Sequence, residues 1–226
     1  PTVTGYASTL ANIGKTSNKG VEITINAIPV ETRDFTWNTS FNLSWQKDKI
    51  DELSNGKEDD ITNSWFIGEQ LGVFYDYSTD GLWQDTPEDH AEMAKWKEKS
   101  GYNFTPGMVR PHDVNGDYTM DNEDRVIVGN KRPTTTAGWT NIFNYKGIEL
   151  SCQMYGRFGY WVNQPQHLFG YGNIGEAVDY WTPDNTGAEF QKPILTSVQT
   201  GDVDQFSKQH GYKKANFIRM RNISLG

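Results

Sequence analysis

Asp113, Asn115, Asp117, Asp121 and Asp124 place oxygen side chains at positions 1, 3, 5, 9 and 12 of the run DVNGDYTMDNED. Thr119, at position 7, can add its backbone carbonyl. A hard cation such as Ca²⁺ takes about six to eight oxygens, and this spacing can wrap them around one point. The expectation is a structural Ca²⁺ held by Asp113, Asn115, Asp117, Thr119, Asp121 and Asp124, pinning a long loop. Two positions depart from the usual calcium loop: Tyr118 stands where the sharp turn favours Gly, and Asp124 where Glu is usual. No helix pattern enters the loop, so a paired EF-hand is not expected. The competing reading is an acidic loop of Asx-turns that satisfies its own backbone.

Nothing else assembles a reaction. His90, His112, His167 and His210 have no partner at motif spacing, and no two carboxylates are placed as a glycosidase pair. The lone Cys152 excludes an internal disulfide and falls on an apolar strand parity, as a lipid- or core-facing side chain would. The chain is therefore not read as an enzyme. A formal charge of −8 argues against nucleic-acid binding, which wants a basic face. Loop aromatics (Trp65, Phe66, Phe74, Tyr75, Trp83, Tyr171, Tyr180, Trp181) suit either sugar stacking or small cores that hold loops together, and the second role is favoured for each. Aromatics make up 13% of the 226 residues. No apolar run reaches the roughly 18 residues of a transmembrane helix.

The elements that would position these groups are strands. Val21, Ile23, Ile25 and Ala27 alternate with Glu22, Thr24 and Asn26, and Pro29 is expected to end that strand. In the next, Phe35, Trp37, Thr39, Phe41, Leu43 and Trp45 share one face, while Thr36, Asn38, Ser40, Asn42, Ser44 and Gln46 share the other. It runs for about eleven or twelve residues, twice the usual globular length. Residues 72–84 suggest a short hairpin. A helix is expected over 86–99, with Thr86 as N-cap, Pro87 at N1, Lys97 and Lys99 in the last turn, and Gly101 as the stop. Strand pattern resumes at 136–146 and 148–160 around a tight turn at Lys146-Gly147. It returns at 215–226, where a parity change between Met220 and Ile223 suggests a bulge. Long strands thus pair through short turns at one end, and long segments, about 49–135 and 161–212, join them at the other. That asymmetry is the signature of an outer-membrane barrel, apolar outside and polar inside. Phe35, Trp37, Trp45, Tyr145 and Tyr160 suit an interfacial girdle.

Six stretches together resemble the C-terminal barrel portion of SusC/RagA-type TonB-dependent outer-membrane transporters: NIGKTSNKGVEI (12–23), FTWNTSFNLSWQKDKIDEL (35–53), GVFYDYSTDGLWQ (72–84), DVNGDYTMDNEDRVIVGNKRPTTTAGW (113–139), YWTPDNTG (180–187) and FIRMRNISLG (217–226). The resemblance implies an all-β chain, part of a 22-stranded antiparallel transmembrane β-barrel with a plugged lumen. Residues 1–226 would supply about five barrel strands and long extracellular loops carrying one short helix. It further implies import of oligosaccharides or peptides across the outer membrane of a Bacteroidetes-like cell. The partners would be a SusD-like surface lipoprotein, TonB through an N-terminal part that this chain lacks, and membrane lipid. Both ends read as cuts in a longer polypeptide. The alternative is a soluble, calcium-stabilised carbohydrate-binding β-domain, which predicts strands of about five or six residues and a second sheet burying the apolar face.

Overall fold

A computed structural model describes residues 14–164, 178–193, 206 and 208–226. In chain order the elements are β1 (Gly14–Glu31), β2 (Phe35–Leu53), β3 (Val73–Tyr77), β4 (Thr79–Leu82), α1 (Pro87–Ser100), β5 (Val109–Pro111), β6 (Arg125–Asn130), β7 (Thr135–Tyr145), β8 (Ile148–Phe158), β9 (Trp161–Asn163), β10 (Tyr212–Lys214) and β11 (Phe217–Leu225), with single 3-10 turns at Asn122–Asp124 and Gln209–Gly211. They fall into two units. One comprises Pro1–Val73, Asn130–Tyr160 and Ala215–Gly226; the other comprises Phe74–Gly129 and Trp161–Lys214.

The first unit is one antiparallel sheet in the order β1-β2-β7-β8-β11. Its register follows the alternation of the sequence. Ile25 lies opposite Phe41, Phe41 opposite Trp139, Trp139 opposite Met154, and Met154 opposite Met220, so the apolar parities of all five strands fall on one face. Two tight turns lie at one end of the sheet. Thr32 N–H donates to the Phe35 carbonyl at 2.8 Å, and the Thr32 hydroxyl accepts from Phe35 N–H at 3.0 Å. Between β7 and β8, Lys146 and Gly147 both have positive φ (48° and 87°), the two-residue geometry whose twist matches the strands it joins.

Two strands outrun their expected limits. Pro29 does not end β1: the register slips between Ala27 and Val30, and pairing resumes at Val30–Trp37 and Glu31–Thr36. The bulge takes Pro29 out of the ladder, so its missing N–H breaks no pair. β2 continues to Leu53 because β1 pairs with it as far as Gly14, whereas β7 pairs only with Phe35–Trp45. Beyond Trp45 the second flank of β2 is taken by its own following segment. Ile50 N–H donates to the Glu69 carbonyl at 2.9 Å, and Gly68 N–H to the Ile50 carbonyl at 2.8 Å, burying Ile50, Phe66, Gln70 and Val73. In β11 the register shifts between Met220 and Asn222, at the parity change seen in the sequence.

The second unit is built from short pairs around an aromatic core. β3 and β4 are both strands but do not form a hairpin with each other. β3 pairs with β6, and β4 with β5. α1 has the expected ends: the Thr86 hydroxyl accepts from Asp89 N–H at 3.2 Å, and Gly101 closes the helix in the left-handed region, its N–H donating to the Lys97 carbonyl. Met93 and Trp96 are the buried residues of α1. They join Leu82, Trp83, Phe104, Val109, Met120, Trp181, Ala188 and Phe206 in one cluster. No helix among the described residues is long and apolar enough to cross a membrane.

Candidate functional site

In the acidic loop the side chains turn inward onto backbone. Asp113 accepts from Gly116 N–H (2.7 Å) and Tyr118 N–H (2.8 Å), Asn115 from Asp117 N–H (3.0 Å), and Asp117 from Thr119 N–H (2.7 Å). Asp121 caps the 3-10 turn through Glu123 N–H at 2.7 Å. Asp124 is fully buried and ties the two ends of the loop together, accepting from Val114 N–H and Asp121 N–H, both at 2.9 Å. Tyr118 adopts φ 69°, the left-handed turn that the sixth position of a calcium loop demands. For a side chain other than Gly this conformation costs roughly 1–2 kcal/mol. The ring offsets that cost by packing on Trp96 at 5.4 Å and lying under the Lys99 ammonium at 4.0 Å. Oxygen chemistry and turn shape therefore suit a hard cation. Among the described residues, however, no three His, Cys, Asp or Glu side chains stand together as a metal cluster.

The histidines are spent on local contacts. His90 pairs with Asp85 at 2.6 Å, and His112 meets Asp80 at 3.0 Å rather than the acidic loop. His210 contacts the Glu189 carbonyl at 2.8 Å, and burial holds its pKa below the usual imidazole value. His167 lies outside the described residues. Most of the loop aromatics are structural. Trp83, Trp181 and Phe66 are buried, and Phe74 packs on Tyr212 at 4.9 Å. Trp65 and Tyr75 are half-buried, Tyr180 alone among these is exposed, and Tyr171 lies outside the described residues. The Trp181 indole N–H donates to the Gln84 side chain at 3.0 Å.

The sheet presents two faces of different chemistry. One face carries Glu22, Thr24, Asn26, Asn38, Ser40, Asn42, Thr140, Ser151 and Gln153; the other carries Val21, Ile23, Ile25, Phe41, Leu43, Trp139, Leu150 and Met154. The apolar face is uncovered: Ile25 is 54% exposed, Ile148 55% and Ile223 66%. On β2 it runs from Phe35 to Trp45, ten steps or about 33 Å along the strand. Tilted as barrel strands are, that height is about 25 Å, the apolar band of an outer-membrane barrel. Cys152 lies on this face, between Asn141 and Ile223. A polar pair interrupts it, Thr39 opposite Asn141: Asn141, only 4% exposed, accepts from the Trp37 indole at 2.9 Å and from the Thr39 hydroxyl at 2.9 Å. The Trp139 indole in turn donates to Thr39 at 2.8 Å. The two indoles thus supply donors to the Asn141 side-chain carbonyl and the Thr39 hydroxyl within the apolar face. Counting parity from Trp139 and Phe143 places Asn141 there, so its position was readable from sequence; the indoles that satisfy it were not.

Long two-faced antiparallel strands joined by tight turns at one end of the sheet match the pattern of transmembrane β-barrel walls. No family model matches the chain. Curated relatives do. Over its full length the chain is 27% identical to TonB-dependent receptor P3 and 28% identical to TonB-dependent receptor P39, both of Formosa agariphila. Over 95% of its length it is 24% identical to TonB-dependent receptor SusC of Bacteroides thetaiotaomicron. It spans about a quarter of these relatives, covering 23%, 25% and 21% of their lengths. Among solved structures, the RagAB peptide transporter matches the whole chain with a TM-score of 0.65 at 19% identity, covering 24% of that chain. Its open-open state gives 0.66. The resemblance to SusC/RagA-type TonB-dependent receptors is thereby borne out over the full chain. The matched proteins carry receptor and transporter names rather than enzyme names.

Proposed function

We propose that this chain is a wall segment of a TonB-dependent outer-membrane importer. Five consecutive strands of a 22-stranded barrel come from the first unit, and the second unit is an extracellular loop domain. The importer takes up oligosaccharides or peptides with a SusD-like lipoprotein over its mouth, and draws energy from TonB through parts of the polypeptide beyond this chain. The observation that carries the reading is the uncovered apolar face, one bilayer high, set back to back with a face of Ser, Thr, Asn and Gln. The soluble carbohydrate-binding alternative needs strands of about five or six residues. The sheet strands here have 18, 19, 11, 11 and 9.

Outer-membrane fractionation tests this. The polypeptide containing this chain should sediment with outer membranes, have a mass several times 25.7 kDa and leave the membrane only in detergent. Deleting it should abolish uptake of one class, oligosaccharide or oligopeptide, and an affinity tag on it should retain the surface lipoprotein. A detergent-independent species near 25.7 kDa would return the chain to the soluble alternative.

The same proposal includes Ca²⁺ in the acidic loop, with Asp113, Asn115, Asp117, the Thr119 carbonyl, Asp121 and Asp124 as ligands. The ion would supply a fixed charge that draws the carboxylates together. The left-handed Tyr118 and the all-oxygen donor set support it. Calorimetric titration of the chelator-stripped receptor should find one Ca²⁺ per loop, and EDTA should speed proteolysis within 100–135. Identical digestion with and without chelator would leave a metal-free loop of Asx-turns as the correct description.

A further inference from the structure

Just beyond the apolar band, on the same face, the side chains change from hydrocarbon to ammonium. Val21 pairs with Trp45; the next rung on that face pairs Lys19 with Lys47, and the one after pairs Ser17 with Lys49. Lys15 lies near enough to act on Asp51, whose carboxyl is held below the usual carboxylate range, chiefly by its hydrogen bond with Lys49. Lys49 meets Asp51 at 2.9 Å, and Glu52 lies opposite Lys15. Lys19 and Lys47 have no ion pair among the described residues and are exposed. Like charges directly opposite in an antiparallel pair repel, their Cβ atoms being about 4.5–5.5 Å apart. The Lys19–Lys47 rung is such a pair, and with Lys49 on the next rung it gathers three cations within roughly 10 Å at the rim of the band. This rim lies at the end of the sheet away from both tight turns, which in a barrel is the extracellular end.

We propose that Lys19, Lys47 and Lys49 form a phosphate-binding clamp for the anionic headgroup of an outer-leaflet glycolipid, with Trp45 and Val21 beneath them against its acyl chains. The proposal rests on the membrane-spanning reading above. The occupant follows from continuity: a lipid whose chains lie on Val21, Ile23 and Trp45 carries its headgroup to the height of the next rung, where the repelling pair gains a shared counter-ion. A lysine near an anionic membrane surface strengthens binding about fivefold, so the three together should be worth about 100-fold.

The test uses the full receptor in phosphatidylcholine nanodiscs doped with phosphorylated lipid A or with the same lipid A stripped of phosphate, with lipid retention read by native mass spectrometry. Wild type should retain the phosphorylated form about 100-fold more tightly than the triple variant K19Q/K47Q/K49Q, which should treat both forms alike. K19R/K47R/K49R should restore retention. Equal retention by wild type and the Gln variant would overturn the clamp while leaving the membrane reading intact. So would displacement of the lipid by 10 mM inorganic phosphate, which would define a small-anion site instead. A receptor that stays soluble and never enters nanodiscs would overturn the membrane reading and the clamp together.

Discussion

Ile25→Arg is expected to destabilise the membrane-inserted receptor by about 2–4 kcal/mol, the cost of an arginine on the lipid side near mid-bilayer. Ile25 sits on the rung that continues through Phe41, Trp139, Met154 and Met220, near the middle of the band between Phe35 and Trp45. Its side chain is 54% exposed, so no packed core is lost and the penalty is solvation alone. The control lies one residue away. Thr24 is opposite Asn42, on the polar face, so Thr24→Arg should change stability by less than about 1 kcal/mol, because a guanidinium in a wet lumen keeps its hydration. Urea titration of the inserted receptor, followed by heat-modifiable gel mobility, separates the two. Equal costs for Ile25→Arg and Thr24→Arg would mean that the two faces do not see lipid and water, and the barrel reading would fall with that result.

How far this contrast was legible in the sequence depends on whether the information was local. The ends of α1 were legible because a cap is a three-residue device: Thr86, Pro87 and Gly101 each act on backbone within one turn. The faces of β2 were legible because period-two alternation needs no partner. Pro29 misled because its effect depends on the bulge that removes it from the ladder, and a bulge is a property of the register with β2 rather than of β1 alone. β3 and β4 misled for a related reason. Adjacent strands with a short link suggest a hairpin, yet β3 finds β6 some fifty residues on, across α1 and the acidic loop. In the acidic loop the oxygen spacing was plain. The left-handed φ of Tyr118 was not, because its compensation comes from Trp96 and Lys99 on a separate element. Lys47 and Lys49 share the parity of Trp45, so a lysine pair above an aromatic was readable; that Lys19 faces Lys47 needed the register.

The loop unit yields the second large effect. Trp83→Ala should cost it about 3–5 kcal/mol, the usual price of emptying a fully buried aromatic site. Trp83 has no exposed surface, lies 5.5 Å from Phe104 and is covered by the Arg110 guanidinium at 4.5 Å. Arg110 also reaches Asp89 on α1 at 3.3 Å, so the ring supports the cation that holds the helix start. Trp83→Phe separates packing from polarity. The Trp83 indole N–H is buried with no partner among the described residues, and an unpaired buried donor costs about 1–3 kcal/mol. Phenylalanine loses volume but removes that donor, so its net cost should fall below about 1.5 kcal/mol. Limited proteolysis gives the readout: with Ala, cleavage should rise within 101–124, where Phe104, Val109 and Met120 lose their neighbour, while Phe should leave the pattern close to wild type. The ladder of β1, β2, β7, β8 and β11 is held by its own backbone pairing, so heat-modifiable mobility should stay unchanged in both variants. An alanine variant that resists protease as wild type does would show that the aromatic cluster is not what keeps this unit folded.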